Sequence, residues 1–479
     1  MSLKTIVWFR QDLRIHDNPA LEYAAARGTI IPVYILDDDA PGQWKLGGAS
    51  RWWLHHSLQS LSNSLESKGH RLHIFAGDPQ QILSDLQHQT QSDTIVWNRC
   101  YEPFSIARDK AIKESMTSAG INVKSFNASL LFEPWTIKNL QGNFFKVFTP
   151  FWKHCLQQSV DPITLSGNSL DSAIPFLETL ETSVQLDDFK LLPSNPNWAT
   201  GFDWSPGEFT ALHKLNEFFE TAVMSYKEQR DYMDKSATSM LSPHLHFGEI
   251  SPRLIYHRCQ ELMALGQGDL SGVQHFLSEL GWREFSYHLL YHFPVLPTEP
   301  FRSEFNQFEW GNNPDDLRKW QQGKTGFPII DAAMQELWQT GYMHNRARMI
   351  VASFLTKNLL IHWRHGAEWF WDTLVDADLA SNSASWQWVA GCGVDAAPYF
   401  RIFNPITQGE KFDPDGIYVK RWIPELRDLD VKYIHQPWTA PLSVLKDAGV
   451  RLGHTYPEPM VDLKATRNRA LQAYAGIRE

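Results

Sequence analysis

Between residue 1 and about 130 the chain alternates short apolar, β-branched runs with polar-faced stretches of helical length. TIVWF at 5–9, IIPVYIL at 30–36, RLHIFAG at 71–77, TIVWN at 94–98 and VKSFNA at 123–128 read as strands, and the near-continuous apolar ones as strands covered on both faces. Segments such as RWWLHHSLQSLSNSLESKG are long enough to be the helices that join parallel strands. The pattern predicts an α/β domain, a doubly wound parallel sheet, over 1–130. From 131 to 203 the periodicity decays: Pro134, Pro150, Pro162, Pro175, Pro193 and Pro196 stand among Ser, Asn and Asp and mark a long connector, expected to wrap over the surface. Beyond Asp203, segments such as FTALHKLNEFFETAVMSYKEQ and FPIIDAAMQELWQTG carry helical period and the strand pattern does not return. Residues 204–479 are therefore expected to form a larger all-α domain, ending on the helix ATRNRALQAYAG.

Composition narrows the class. With 43% hydrophobic and 20% charged residues in 479, the chain is globular and neither disordered nor a coiled coil. Twenty tryptophans are a heavy investment in aromatic surface, serving either as core or as platforms for flat ligands. The net charge of −10 excludes a protein that coats nucleic acid non-specifically, so DNA would have to be met by a local basic groove. No run approaches the ~18 apolar residues of a membrane span, and the charged start MSLKTIVWFRQDLR is no secretory leader. Cys100, Cys155, Cys259 and Cys392 lie far apart without a C-x-x-C pair, which suits a reducing cytoplasm and neither disulfides nor a zinc cluster.

Familiar ligand motifs fail. G-x-G-x-x-G is absent, and the GKT at Gly323–Thr325 has Arg318 where a P-loop needs its first glycine. His288 and His292 have metal-ligand spacing, but Leu289 replaces the required glutamate, and no metal site is expected. What remains are polar residues sharing helical faces with tryptophan. Glu279, Trp282, Arg283 and Ser286 fall at i, i+3, i+4 and i+7; Asp378, Asn382 and Trp386 fall at i, i+4 and i+8; in YMHNRARM, Asn345, Arg348 and Met349 share a face while Arg346 points elsewhere. Three such stripes in an apolar domain call for a large polar and aromatic ligand, since buried polar groups are costly without partners.

WFRQDLRIHDNPAL near the start, TSMLSPHLHFGEISPR at 238–253, GWREF at 281–285, GKTGFPIIDAAMQELWQTGYMHNRARM at 323–349 and DADLASNSASWQWVAGCGVDAAPYFRIFNPITQGEKF at 376–412 resemble the photolyase/cryptochrome family nearly end to end. The resemblance implies an antenna domain followed by a helical domain holding FAD. Flavin contacts carry over to Tyr226, Thr238, Ser239, Met240, Leu241, Ser242, Asp376 and Asp378, with Arg348 pairing Asp376. Asn382 falls beside the flavin's central redox nitrogen, where photolyases carry Asn, plant cryptochromes Asp and animal ones Cys. A neutral amide suits a catalyst resting as a reduced anion. By the family pattern Trp386, Trp363 and Trp310 form an electron-transfer chain from flavin to surface.

The YMHNRARM block separates substrates. Relatives that repair (6-4) photoproducts carry histidines at the positions of Asn345 and Met349, so the resemblance favours cyclobutane pyrimidine dimers. It implies stacking walls at Trp282 and Trp388, Glu279 and Asn345 toward the base edges, Met349 against the ring, and Arg230, Arg283, Arg346, Arg401 and Gln408 around the cavity. Glu279, Asn345, Met349 and Asn382 are the expected reaction-site residues. The resemblance implies a mechanism in which light excites reduced FAD, an electron passes to the flipped-out dimer, the ring opens and the electron returns. The rival expectation is a cryptochrome-type light sensor acting on a protein partner. Phe104 and Ser105 replace the Asn and Glu of some folate-binding relatives, so methenyltetrahydrofolate, 8-hydroxy-5-deazaflavin and no antenna pigment all stay open. GWREFSYHLLYHFP resembles a bacterial branch near plant cryptochromes, and a cytoplasmic monomer is expected.

Overall fold

The apolar runs of the first 130 residues form parallel strands in the computed structural model, which describes residues 3–164, 169–266 and 268–477. β1 (Leu3–Phe9), β2 (Gly28–Leu36), β3 (His73–Ala76), β4 (Thr94–Asn98) and β5 (Asn122–Phe126) lie in the order β3-β2-β1-β4-β5. The crossovers are α1 (Pro19–Ala25), α2 (Gly48–Ser67), α3 (Pro79–Thr90) and α4 (Pro103–Ser118). Asn18 and Asp78 cap α1 and α3, each followed by a proline whose missing N–H costs nothing in the first turn. Alternation along β1 divides the core: Ile6 and Trp8 pack with Leu83 and Ile112 of α3 and α4, Val7 and Phe9 with Leu21 and Trp53 of α1 and α2. Both faces are thus covered, which accounts for the unbroken apolar runs.

The segment 131–203 does not simply wrap over the surface. Helix α5 (Phe148–Cys155) buries Phe151, Trp152 and Cys155 in the helical core, and β6 (Ile174–Pro175) returns to pair with β2. No periodicity long enough to announce either element exists in this proline-rich stretch.

Then follow α6 (Glu208–Thr221), α7 (Tyr226–Gln229), α8 (Ser242–His246), α9 (Pro252–Leu265), α10 (Ser271–His292), α11 (Pro314–Gln321), α12 (Pro328–Thr340), α13 (Asn345–Ser353), α14 (Trp363–Thr373), α15 (Leu379–Ala390), α16 (Pro405–Phe412), α17 (Ile417–Trp422), α18 (Leu442–Asp447) and α19 (Leu463–Gly476). The sheet domain is locked to them by the RIHD stretch, residues 14–17. Buried Arg14 donates to the carbonyls of Gly248 (2.8 Å), Asp17 (2.7 Å) and Ala128 (2.9 Å), and Asp17 pairs with Arg253 at 2.7 Å. Gly248, at φ +66°, is required there: a Cβ would stand 2.0 Å from the Gln11 carbonyl oxygen.

Candidate functional site

Three helices converge: α10 and α13 both pack on α15, and α7 packs on α10. Each presents one of the polar stripes. Asp378 starts α15 as its N-cap, accepting from Ser381 N at 2.7 Å, which sets Asn382 one turn inside the helix. A Cβ at Gly366 would meet the Trp386 ring at 2.1 Å, so the glycine of α14 lets α15 approach closely.

The first half of the site is lined by buried acids. Asp376 accepts from Arg348 Nη2 at 2.8 Å and from Ser242 Oγ at 2.6 Å, joining α8, α13 and the start of α15. Arg348 is fixed further by donating Nε to the Met343 carbonyl at 2.7 Å. Tyr287 donates to Asp378, and His246 Nδ1 lies 3.6 Å from the same carboxylate. Burial would raise the Asp378 carboxyl, yet His246, with Arg283 and Tyr287, holds it well below the usual carboxylate range. Asn382 donates Nδ2 to the Ala367 carbonyl at 2.9 Å, leaving its amide oxygen as an acceptor. Tyr226 is buried beneath Arg230, and Thr238, Ser239 and Met240 are half-buried in the loop before buried Leu241, with Met240 at φ +53°. His246 is only 4% exposed; Nδ1 faces Asp378, and Nε2 has no hydrogen-bond partner among the described residues. Such a group is costly unless a ligand partners it.

The second half lies across α10 and α13. Trp282 is stacked face to face by Phe148 of α5, ring centroids 3.7 Å apart at 8°. Glu279 is bonded to Arg230, Arg283 donates to the Ser129 carbonyl at 2.6 Å, and Arg346 pairs with Asp231 at 2.6 Å. Helix geometry places Arg346 off the Asn345 and Met349 face, but its flexible stem brings Nη1 back to 3.7 Å from Met349 Sδ. Ser286 gives its hydroxyl to the Trp282 carbonyl, which removes it from ligand work. Trp388 is half-buried on α15, Gln408 is half-buried on α16, and Arg401 is exposed in the intervening loop. His344 spends Nδ1 capping α13, accepting from Arg346 N, and burial pulls its pKa to about 4, so it is neutral near pH 7.

Trp386 and Trp363 are buried and Trp310 is half-buried. His362 touches both Trp310 and Trp363, at 5.0 and 5.5 Å between centroids. Buried Trp320 meets Trp386 edge-on at 6.3 Å, a contact that no helical spacing announces. Phe148, Asp231, Tyr287 and His246 are the neighbours that sequence reasoning missed; Asp231, beside Arg230, Tyr287, between Ser286 and His288, and His246, in HLHFGE, lay next to or within stretches already singled out, and Phe148 did not.

The rejected motifs have other employment. Asp331 accepts from Thr325 N and Oγ1, both at 2.7 Å, and from Gly326 N at 3.0 Å, so GKTG is a turn held by a carboxylate. His288 Nε2 accepts from Phe145 N at 3.0 Å. At the carboxyl ends of β1 and β4, where doubly wound sheets take flat ligands, Arg10 lies over Trp8 (4.5 Å) and Trp97 (5.8 Å) and pairs with Asp109 at 2.8 Å.

Residues 276–476 match the model for the FAD binding domain of DNA photolyase, and residues 5–166 that for DNA photolyase. A deoxyribodipyrimidine photo-lyase of Agrobacterium fabrum (strain C58) is 50% identical over 486 residues, covering 100% of both chains. Cryptochrome-2 of Arabidopsis thaliana is 39% identical, over 100% of this chain and 80% of its own. A crystal structure of a bacterial class III photolyase from Agrobacterium tumefaciens matches with a TM-score of 0.94 at 48% identity, covering 100% of this chain and 98% of that one.

Proposed function

The chain belongs to the photolyase/cryptochrome family, and on that premise we propose that it is a deoxyribodipyrimidine photolyase whose helical half holds FAD beside a pocket for a flipped-out cyclobutane pyrimidine dimer. Bound FAD, in its reduced form, supplies the electron that light sends to the dimer. The residues fit that cofactor: Thr238 and Ser239 offer hydroxyls for a diphosphate, Asp376, bonded also by Ser242, makes a fixed ion pair with Arg348, and His246 keeps Nε2 without a hydrogen-bond partner among the described residues. The observation that carries the reading is Asn382. One N–H of its amide is held by the Ala367 carbonyl, which fixes the group and leaves the oxygen to accept from a protonated ring nitrogen, adding no negative charge beside an anion. This supports repair over the light-sensing alternative.

Trp282, braced by Phe148, and Trp388 flank the dimer in this reading, Glu279 and Asn345 meet its base edges, and Met349 rests on the ring. Stacking worth ~1–3 kcal/mol per base offsets a flipping cost of a few kcal/mol. Ring splitting by an electron needs no acid, and Asn345, Met349 and neutral His344 offer none. Arg230, Arg346, Arg283, Arg401 and Gln408 steady the strand around the pocket. Trp386, Trp363 and Trp310 conduct electrons inward when the flavin must be reduced. Arg10, over Trp8 and Trp97 at the switch point of the sheet, would neighbour an antenna pigment of either class bound in that crevice. The enzyme works as a monomer in the cytoplasm; its four cysteines are buried free thiols.

Illuminating the reduced protein with oligonucleotides bearing either lesion tests the reading. The cyclobutane dimer should revert to pyrimidines in light and not in darkness, and the (6-4) product should persist. Reversal of neither lesion leaves the sensor reading ahead.

A further inference from the structure

Helix α13 carries more than one wall of the pocket. Asn345 and Met349 are followed at the same four-residue step by Ser353 and then by Lys357, which lies in a π-helical turn at Phe354–Asn358. Four-residue steps drift by ~40° on an α-helix, at about 100° per residue. The wider π turn takes back part of that drift, and such turns frequently sit at functional sites.

Both later residues reach the loop between α15 and α16. Ser353 Oγ accepts from Phe403 N at 3.2 Å, and Lys357 Nζ donates to the Arg401 carbonyl at 3.0 Å. Lys357 is 1% exposed, and its ammonium also faces Tyr399, 5.2 Å from the ring centroid. Burial, with the charge of Arg401, pulls the amine from 10.5 down to about 7. An apolar side chain of the same length would fill this position at lower cost, so the bond to the loop is what the amine adds. Tyr399 is fixed in turn by stacking on Tyr474, 4.4 Å between centroids at 12°. Above this floor the loop carries Arg401 outward. Arg230, Arg346 and Arg283 are paired with carboxylates, Arg283 also with a backbone carbonyl, whereas the exposed Arg401 guanidinium has no ion pair among the described residues.

We propose that Lys357 is a positioning residue for DNA binding: holding the Arg401 carbonyl from below, it presents the Arg401 guanidinium to the phosphate backbone, in register with the Asn345 and Met349 wall of the same helix. This role presupposes the DNA-repair reading above.

Binding of a dimer-bearing oligothymidine to the FAD-loaded protein, followed by fluorescence anisotropy over a salt series, tests it in wild type, K357M, S353A, R401A and the R401A/K357M double variant. R401A should weaken binding and lower the slope of log K against log salt by about one. K357M should weaken binding several-fold with the same change of slope, and the double variant should bind no worse than R401A alone, while flavin absorbance is unchanged. Equal losses from K357M with and without Arg401, or an unchanged slope, overturn the proposal. Should K357M lose its flavin, S353A carries the same comparison: a loss confined to proteins that keep Arg401 supports the role, and a loss independent of Arg401 overturns it. R401A binding like wild type also overturns it, and dimer repair by the wild type separates that failure from failure of the repair reading itself.

Discussion

Asn382 and Asp376 show how much chemistry a single side chain decides. The amide of Asn382 is oriented by its bond to Ala367, which leaves its oxygen free to accept from a ligand. Replacing it by aspartate keeps the shape and adds a charge. At about 4 Å from a reduced flavin, with an effective dielectric constant of ~20, that charge costs on the order of 4 kcal/mol. N382D should therefore bind FAD with a lower reduction potential than wild type, by spectroelectrochemical titration; an equal or higher potential contradicts the role given to the amide. Asp376, itself buried, neutralises the half-buried Arg348 guanidinium, and breaking such a pair from one side costs less than the ~3–5 kcal/mol of a fully buried one. D376N should lose FAD on gel filtration under conditions in which wild type stays yellow, and full retention would count against the cofactor site described above. Both residues were legible from the sequence, because short motifs fix them. His246 and Tyr287 were not, because their meeting with Asp378 depends on how α8, α10 and α15 pack.

At the scale of elements, α10 links the pocket to the connector. Trp282 is stacked by Phe148, and the next helical residues, Arg283 and Glu284, hold the connector's start: Arg283 donates to the Ser129 carbonyl and Glu284 accepts from Leu131 N at 3.0 Å. W282A should weaken dimer binding by ~1–3 kcal/mol, the worth of one stacked base. F148A should cost less, and nothing further once Trp282 is gone; additive losses would mean that Phe148 does not act through the indole. Burial pushes the Glu284 carboxyl up from 4.5 to about 7, against Arg283 and the Leu131 and Phe132 amides. The folded state then binds the proton more tightly than the unfolded chain, so its stability falls as pH rises from about 4.5 to about 7. The loss is at most ~3 kcal/mol for such a shift. E284Q should flatten this part of the stability profile in denaturant titrations, and an unaltered slope would refute the assignment. The central strands were readable because burial on both faces makes β1, β2 and β4 mostly apolar. Helix α5 was not, since eight residues among prolines give too short a period to see, and its buried face is set by packing on α10, far away in the chain.

Over the whole molecule, an acidic chain has to meet a polyanion, and its cations are held back by its own carboxylates. Arg230 is bonded to Glu279 and Arg346 to Asp231. Such restraint limits non-specific binding and reserves affinity for strands that deliver a lesion. D231N should accordingly tighten binding to undamaged DNA and steepen its salt dependence, and weaker binding would contradict this account of the rim. Net charge made a local cationic site predictable, but the pairing of those cations was invisible, because each pair joins residues far apart in the chain. The locking of the two halves by Arg14, Asp17 and Arg253 was equally hidden, although the motif containing it stood out at once. The central claim is that an electron is lent to the dimer and recovered. Its most direct test is the number of dimers split per flavin under blue light, in an anaerobic sample of fully reduced protein without added reductant. Many dimers per flavin, with the flavin spectrum after illumination the same as before, is the predicted result; one dimer or fewer per flavin, with the flavin left oxidised, would contradict it.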